Sequence, residues 1–144
     1  MRRRARASVI ALAALACGTE PIELASSYTV RTVEGAPPPR LVAATVECDV
    51  SLGGGHLSFT ATNQFELGLD VLTDCSRAGG ATSEVTYGYT GTAQVDGRHV
   101  TFHSANGSGP VVFEGQGTSA SRLQVVVPGL VPLVEQVTVE FAPE

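Results

Sequence analysis

From residue 28 onward the chain is built of short runs in which apolar and polar side chains alternate, and outside the first sixteen residues no segment of ten or more shows a helical period. Successive side chains of a β-strand point to opposite faces, so a period of two describes a strand with one buried and one solvated side. Gly, Pro, Asn and Asp separate the runs, as turns between antiparallel strands require. The alternation therefore predicts an all-β fold.

The clearest run covers residues 42–52. Val42, Ala44, Val46, Cys48, Val50 and Leu52 share one face, and Ala43, Thr45, Glu47, Asp49 and Ser51 share the other. The triplet Gly53, Gly54 and Gly55 is read as a turn into a strand bearing Leu57, Phe59 and Ala61, and Asn63 and Gln64 as a turn into Phe65, Leu67, Leu69 and Val71. A loop at 76–83 precedes the longest strand, 85–95, with Val85, Tyr87, Tyr89, Ala93 and Val95 on one face. Asp96 and Gly97 are the strongest hairpin signal, because a type I′ turn needs positive φ at both central positions. Val100 and Phe102 follow, then runs at 111–116 and 123–127, and a last strand through Val137, Val139 and Phe141. With a first strand at 28–33 the count is about eight or nine strands. Hairpin-length connections make sequential strands neighbours, so the expected architecture is an up-and-down meander closed into a barrel, with a β-sandwich as the alternative.

The N-terminus carries Arg2, Arg3, Arg4 and Arg6, then ten residues at 7–16 that are apolar except for Ser8. That is the layout of a signal peptide, and the apolar run is half of the roughly 20 residues that a spanning helix needs. Ala14, Leu15 and Ala16 fit an ordinary signal-peptidase site, which would release a soluble secreted or periplasmic protein. Placed directly before Cys17, the same residues resemble the lipobox of bacterial lipoproteins, which implies a lipidated Cys17 at the mature N-terminus. The expected organisation is a signal peptide at 1–16, a lipidated terminus and tether at 17–27, and one β-barrel domain at 28–144. The protein is then exported and held at the cell envelope, its membrane partner reached through the N-terminal lipid.

Loss of the signal removes four of nine arginines and leaves five basic residues against fourteen acidic ones, a net charge of −9; lysine is absent throughout. So acidic a surface repels phosphate backbones, which argues against nucleic acid as a partner, and the missing lysine removes Schiff-base chemistry and any P-loop. Setting Cys17 aside leaves Cys48 and Cys75, an even number in an oxidising compartment, and a single disulfide is expected. One obstacle stands against it. If the strands that carry the cysteines flank a common middle strand, they lie about 9.6 Å apart, beyond the usual limit of about 7 Å between Cα atoms. The bond would then need residues 73–75 to leave the sheet.

Three stretches together resemble the lipocalin-like small β-barrels of bacterial envelope lipoproteins. They are Tyr28 to Gly35 with Pro37, Pro38 and Pro39 after it, Tyr89 to Gly97 followed by Val100, Thr101 and Phe102, and Phe113, Glu114 and Gly115 before the Leu123 strand. The resemblance implies a non-enzymatic barrel able to hold a small apolar molecule or lipid.

No catalytic or metal centre is read from the residues, and no cofactor is expected. His99 and His103 share a strand parity but lie about 13 Å apart, too far for one ion whose ligand bonds are about 2 Å. Ser108 lacks the Gly-x-Ser-x-Gly elbow, and Cys75 sits beside Asp74, which disfavours its thiolate. The carboxylate pairs Glu66 with Asp70 and Glu47 with Asp49 fall on the polar parity of their strands, as a solvated outer face would place them. What remains is the inward row Tyr28, Phe59, Phe65, Tyr87, Tyr89, Phe102 and Phe113, of which the first six are the candidate ligand-facing residues. It is either the filled core of a small barrel or the lining of a site for one apolar ligand, with the tyrosine hydroxyls orienting it. The alternative to a ligand-binding barrel is a ligand-free structural or protein-interaction module of the envelope.

Overall fold

The computed structural model describes residues 21–106, 109–119 and 121–144. The expected signal peptide at 1–16 and Cys17 lie outside them. Nine strands follow in order: β1 (Ser27–Val33), β2 (Arg40–Ala44), β3 (Asp49–Phe59), β4 (Gln64–Asp74), β5 (Thr82–Asp96), β6 (His99–Asn106), β7 (Gly109–Gly117), β8 (Leu123–Pro128) and β9 (Gln136–Pro143). All pair antiparallel, in the order β1, β9, β8, β7, β6, β5, β4, β3 and β2, and a further pairing of β1 with β3 closes the ring. The result is a closed eight-stranded barrel with β2 as one extra strand. The meander settles on a barrel and not a sandwich.

Closure rests on β3. Its outer edge pairs with β2 over Asp49 to Leu52 and with β1 over His56 to Ser58, so Gly53, Gly54 and Gly55 lie where one partner hands over to the other. The triplet is not the expected turn. It runs through the strand, with a register shift against β4 between Leu52 and Gly54 and Gly55 at φ 155°. A β-carbon on Gly55 would lie 2.3 Å from the Gly68 carbonyl oxygen. Glycine is needed there for close backbone approach inside a strand.

The turn occurs earlier, within the run that reads as one strand at 42–52. Thr45 makes it: its hydroxyl accepts the amides of Glu47 and Cys48 at 3.2 and 2.9 Å, and its own amide donates to the Cys48 carbonyl at 2.8 Å. A threonine that offers its backbone a local turn overrides the alternation around it. Ala44 and Val46 therefore lie outside the core, Val46 at 95% exposure. At the β5–β6 hairpin Asp96 pairs with His99, so the two loop residues are Gly97 and Arg98, with Gly97 at φ 59°, one position later than the sequence indicates.

Moving the turn also removes the obstacle to the disulfide. β3 and β4 are direct neighbours, Asp49 opposite Asp74, and Cys48 and Cys75 form a bonded pair on the next rung with Cα atoms 4.1 Å apart. No strand intervenes and no segment needs to cross the barrel.

The interior is filled by alternate residues of all eight barrel strands. Phe65, Leu67, Leu69 and Val71 from β4, Leu123, Val125 and Val127 from β8, and Val137, Val139 and Phe141 from β9 are each at most 3% exposed. An eight-stranded barrel is just wide enough for side chains alone to fill it.

Candidate functional site

The expected site is the aromatic row, and the barrel brings most of it into one continuous stack. Tyr28 meets Phe59 edge-on at 6.0 Å between ring centroids, and Phe59 leads to Phe102 at 6.1 Å. Phe102 stacks on Phe113 at 4.8 Å and meets Phe65 at 4.9 Å, and Tyr89 closes the row on Phe113 at 5.3 Å. These separations are those of favourable aromatic pairs, worth about 0.5–1.5 kcal/mol each beyond burial. Tyr28 and Phe102 are wholly buried, Phe65 and Tyr89 nearly so, and Phe59 and Tyr87 partly. Tyr87 stands outside the ring contacts. Phe113, which links both ends of the row, was placed inward by the alternation, yet only the fold shows that it is the hub.

The two fully recruited tyrosines spend their hydroxyls within the protein. Tyr28 Oη accepts the Ala25 amide at 2.9 Å, and Tyr89 Oη donates to the Pro128 carbonyl at 2.7 Å. Burial raises the Tyr89 pKa above its ordinary 10.0. A phenol without water or a cation nearby resists ionisation.

Both barrel ends are covered. At the end that holds the start of β1, residues 21–26, expected as free tether, lie across the opening. Ile22 donates its amide to the Gly97 carbonyl at 2.9 Å, the Phe59 amide donates to the Ser26 carbonyl at 3.0 Å, and the Ile22 side chain is 8% exposed. At the opposite end the β8–β9 connection folds inward, with Val131 3% exposed and Leu130 and Val134 packed on the core. A closed eight-stranded barrel is the architecture of a lipocalin-like ligand carrier; here its central volume is taken by its own side chains.

The remaining candidates disperse. His99 and His103 point outward from β6, and His56 lies 3.8 Å from Glu66 on the outer face. Glu47 falls in the Thr45 turn, so it no longer shares a strand face with Asp49, which instead pairs with Arg77. Asp70 accepts the Thr86 hydroxyl at 2.7 Å. Among the described residues no three His, Cys, Asp or Glu side chains converge as metal ligands, and no helix is long and apolar enough to cross a membrane. Ser108 lies outside the described residues.

One concavity of about 450 Å³ opens on the outside of the barrel over β3, β4 and β5. Ser58, Thr60, Gln64, Glu66, Thr90 and Thr92 form its walls, and the backbone at Phe65 and Gly91 forms its floor. Sequence reasoning missed it. Polar alternation placed these residues outward, but their gathering depends on cross-strand register, which single runs do not carry.

No protein-family model, curated protein or solved structure matches the chain, so the site's chemistry rests on its own geometry.

Proposed function

We propose that the chain is an exported, lipid-anchored envelope protein of lipocalin-like architecture whose barrel interior holds no ligand and which acts through its outer surface. One observation carries this reading: the ring row packs against itself, with both buried tyrosine hydroxyls bonded within the fold. A ligand among Tyr28, Phe65, Tyr89 and Phe102 would have to displace rings that are already buried in contact with one another.

The anchor reading is supported by the lipobox-like junction of Ala14, Leu15 and Ala16 with Cys17. Only residues 18–21 separate Cys17 from Ile22, whose amide is bound to the Gly97 carbonyl, and those five residue steps span at most about 18 Å. A lipid on Cys17 would therefore keep that barrel end near the bilayer and leave the β4–β5 and β8–β9 connections at the far end. Mass spectrometry of the membrane fraction tests the anchor. The expected product begins at a lipid-modified Cys17, and Cys17→Ser releases the protein; a soluble product with an unmodified Cys17 would overturn it.

The interior is tested by titrating a hydrophobic fluorescent probe into the protein and into a folded Tyr87→Ala, Tyr89→Ala variant. No saturable binding is expected in the unmutated protein, whereas the variant, with two rings removed, gains some. Saturable binding that the double substitution abolishes would transfer the function to an apolar small molecule or lipid held in the barrel.

A further inference from the structure

We infer that the outer concavity over β3, β4 and β5 binds a neutral, hydroxyl-rich ligand, the chemistry of a saccharide. The inference rests on the reading that the protein works through its surface, and it assigns a place and a ligand class to that work.

The lining is two same-face rungs of a three-stranded sheet, with one inward-facing pair between them. Ser58, Glu66 and Thr90 stand directly across from one another in one rung, and Gln64 faces Thr92 in the next, with Thr60 beside Gln64 at the turn. Neighbouring strands are about 4.8 Å apart and same-face residues about 6.6 Å apart along a strand, which sets a regular lattice of polar groups. Between the rungs lies the Phe65 and Gly91 pair, where the phenyl turns inward and glycine has no side chain, so backbone forms the floor. The volume falls within the roughly 300–1,000 Å³ of small-molecule sites.

Chemistry narrows the ligand. Ser and Thr hydroxyls and the Gln64 amide each donate and accept, and the Glu66 carboxylate accepts from two donors at once. Adjacent sugar hydroxyls, which also donate and accept, match such a lattice. An apolar ligand would bury these groups unpaired, which opposes its binding. Among the described residues no Lys, Arg or His lines the concavity, His56 beside it is turned to Glu66 at 3.8 Å, and residues 17–144 carry nine more acidic than basic groups, so an anion finds little to offset its desolvation. A single carboxylate gives a polycation only one contact.

The walls are held in place before any ligand arrives. The Ser104 hydroxyl donates to the Thr90 carbonyl at 2.6 Å from the neighbouring strand, and the Thr60 hydroxyl accepts the Gln64 amide at 3.2 Å. Sites on paired strands keep their geometry better than sites on loops.

The test is an amide-shift titration of isotope-labelled full-length protein in a zwitterionic detergent. The probes are maltotriose, cellotriose and the N-acetylglucosamine trimer, with a glucuronate trimer and spermidine as charged controls. Saturable shifts confined to the amides around Ser58, Gln64, Glu66, Thr90 and Thr92 are expected with at least one neutral trimer. A Thr90→Arg, Thr92→Arg variant should raise that dissociation constant tenfold or more, and Gln124→Arg, on the far outer face, should leave it unchanged. Absence of saturable shifts with all three neutral trimers, equal binding by the Thr90→Arg, Thr92→Arg variant, or tighter binding of either charged control would each overturn the assignment. The hydrophobic-probe titration reads the interior separately, so failure here is distinguishable from failure of the surface reading.

Discussion

Ile22 rests on Gly117 so closely that a β-carbon on the glycine would stand 2.7 Å from Ile22 Cδ1. The contact joins the segment that precedes β1 to the end of β7, and it stoppers the barrel end at which β1 starts. Gly117→Ala should therefore dislodge Ile22, while Ile22→Ala should remove a buried side chain at a cost of about 2–4 kcal/mol. Because both changes act on one contact, their effects should not add. In urea unfolding, Gly117→Ala is expected to cost clearly more in the unmutated protein than in the Ile22→Ala background. Equal cost in both would mean that the segment does not seal the barrel.

The Cys48–Cys75 bond closes a loop of 27 residues on the rung beyond Asp49 and Asp74. Cross-linking a loop of that size lowers the entropy of the unfolded chain by an amount worth about 3–4 kcal/mol. Reduction, or the Cys48→Ser, Cys75→Ser pair, should lower the unfolding free energy by about that much while the far-ultraviolet spectrum stays that of a β-barrel. Loss of less than about 1 kcal/mol would show that the hairpin holds its register without the bond.

The disulfide also marks the limit of what the chain discloses on inspection. Alternation placed Phe65, Leu67, Leu69 and Val71, and equally Leu123, Val125 and Val127, on the inner face, because a period of two is local. The same rule ran through Thr45, where a side-chain hydroxyl closes a turn, and stopped at Gly53, where the strand continues. That double error inserted a strand between the two cysteines. Ile22 was unreadable for another reason. A lone apolar residue among polar ones acquires meaning only from Gly97 and Gly117, about 75 and 95 residues away, as register-dependent contacts do. The outer concavity was hidden likewise, since Ser58, Glu66 and Thr90 become one rung only after three strands align.

Asp74 predicts an acid-sensitive loop. Its carboxylate accepts the Ser76 amide at 2.9 Å and the Thr82 hydroxyl at 3.3 Å, and these bonds, the Ser76 ones foremost, hold its pKa below the ordinary 3.8. A carboxyl with a lowered folded pKa contributes stability that is present above the unfolded value and is lost as pH falls through the folded one. The loss therefore begins below about pH 4. Amide exchange at Ser76 and in residues 77–81 should quicken over that range, and Asp74→Asn should abolish the dependence. An unchanged acid response in Asp74→Asn would place its origin in another carboxylate.

Tyr89 predicts the opposite edge of the pH range. Its hydroxyl donates to the Pro128 carbonyl at 2.7 Å, so it ties β5 to the start of the β8–β9 connection that covers the barrel end. Burial raises its pKa above 10.0, and a folded pKa above the unfolded one gives stability that is complete below the unfolded value and is lost as pH rises towards the folded one. Unfolding free energy should thus decline from about pH 10 upward. Tyr89→Phe keeps the ring on Phe113, 5.3 Å away, and removes only the bond to Pro128 and the ionisable group. At neutral pH the variant should lose about 0.5–1.5 kcal/mol, the net worth of one such bond. Above pH 10 the gap to the unmutated protein should narrow, because the phenol that becomes a liability is gone. A gap that widens instead would show that Tyr89 ionises readily in the folded barrel, and hence that water reaches its hydroxyl beneath the β8–β9 connection.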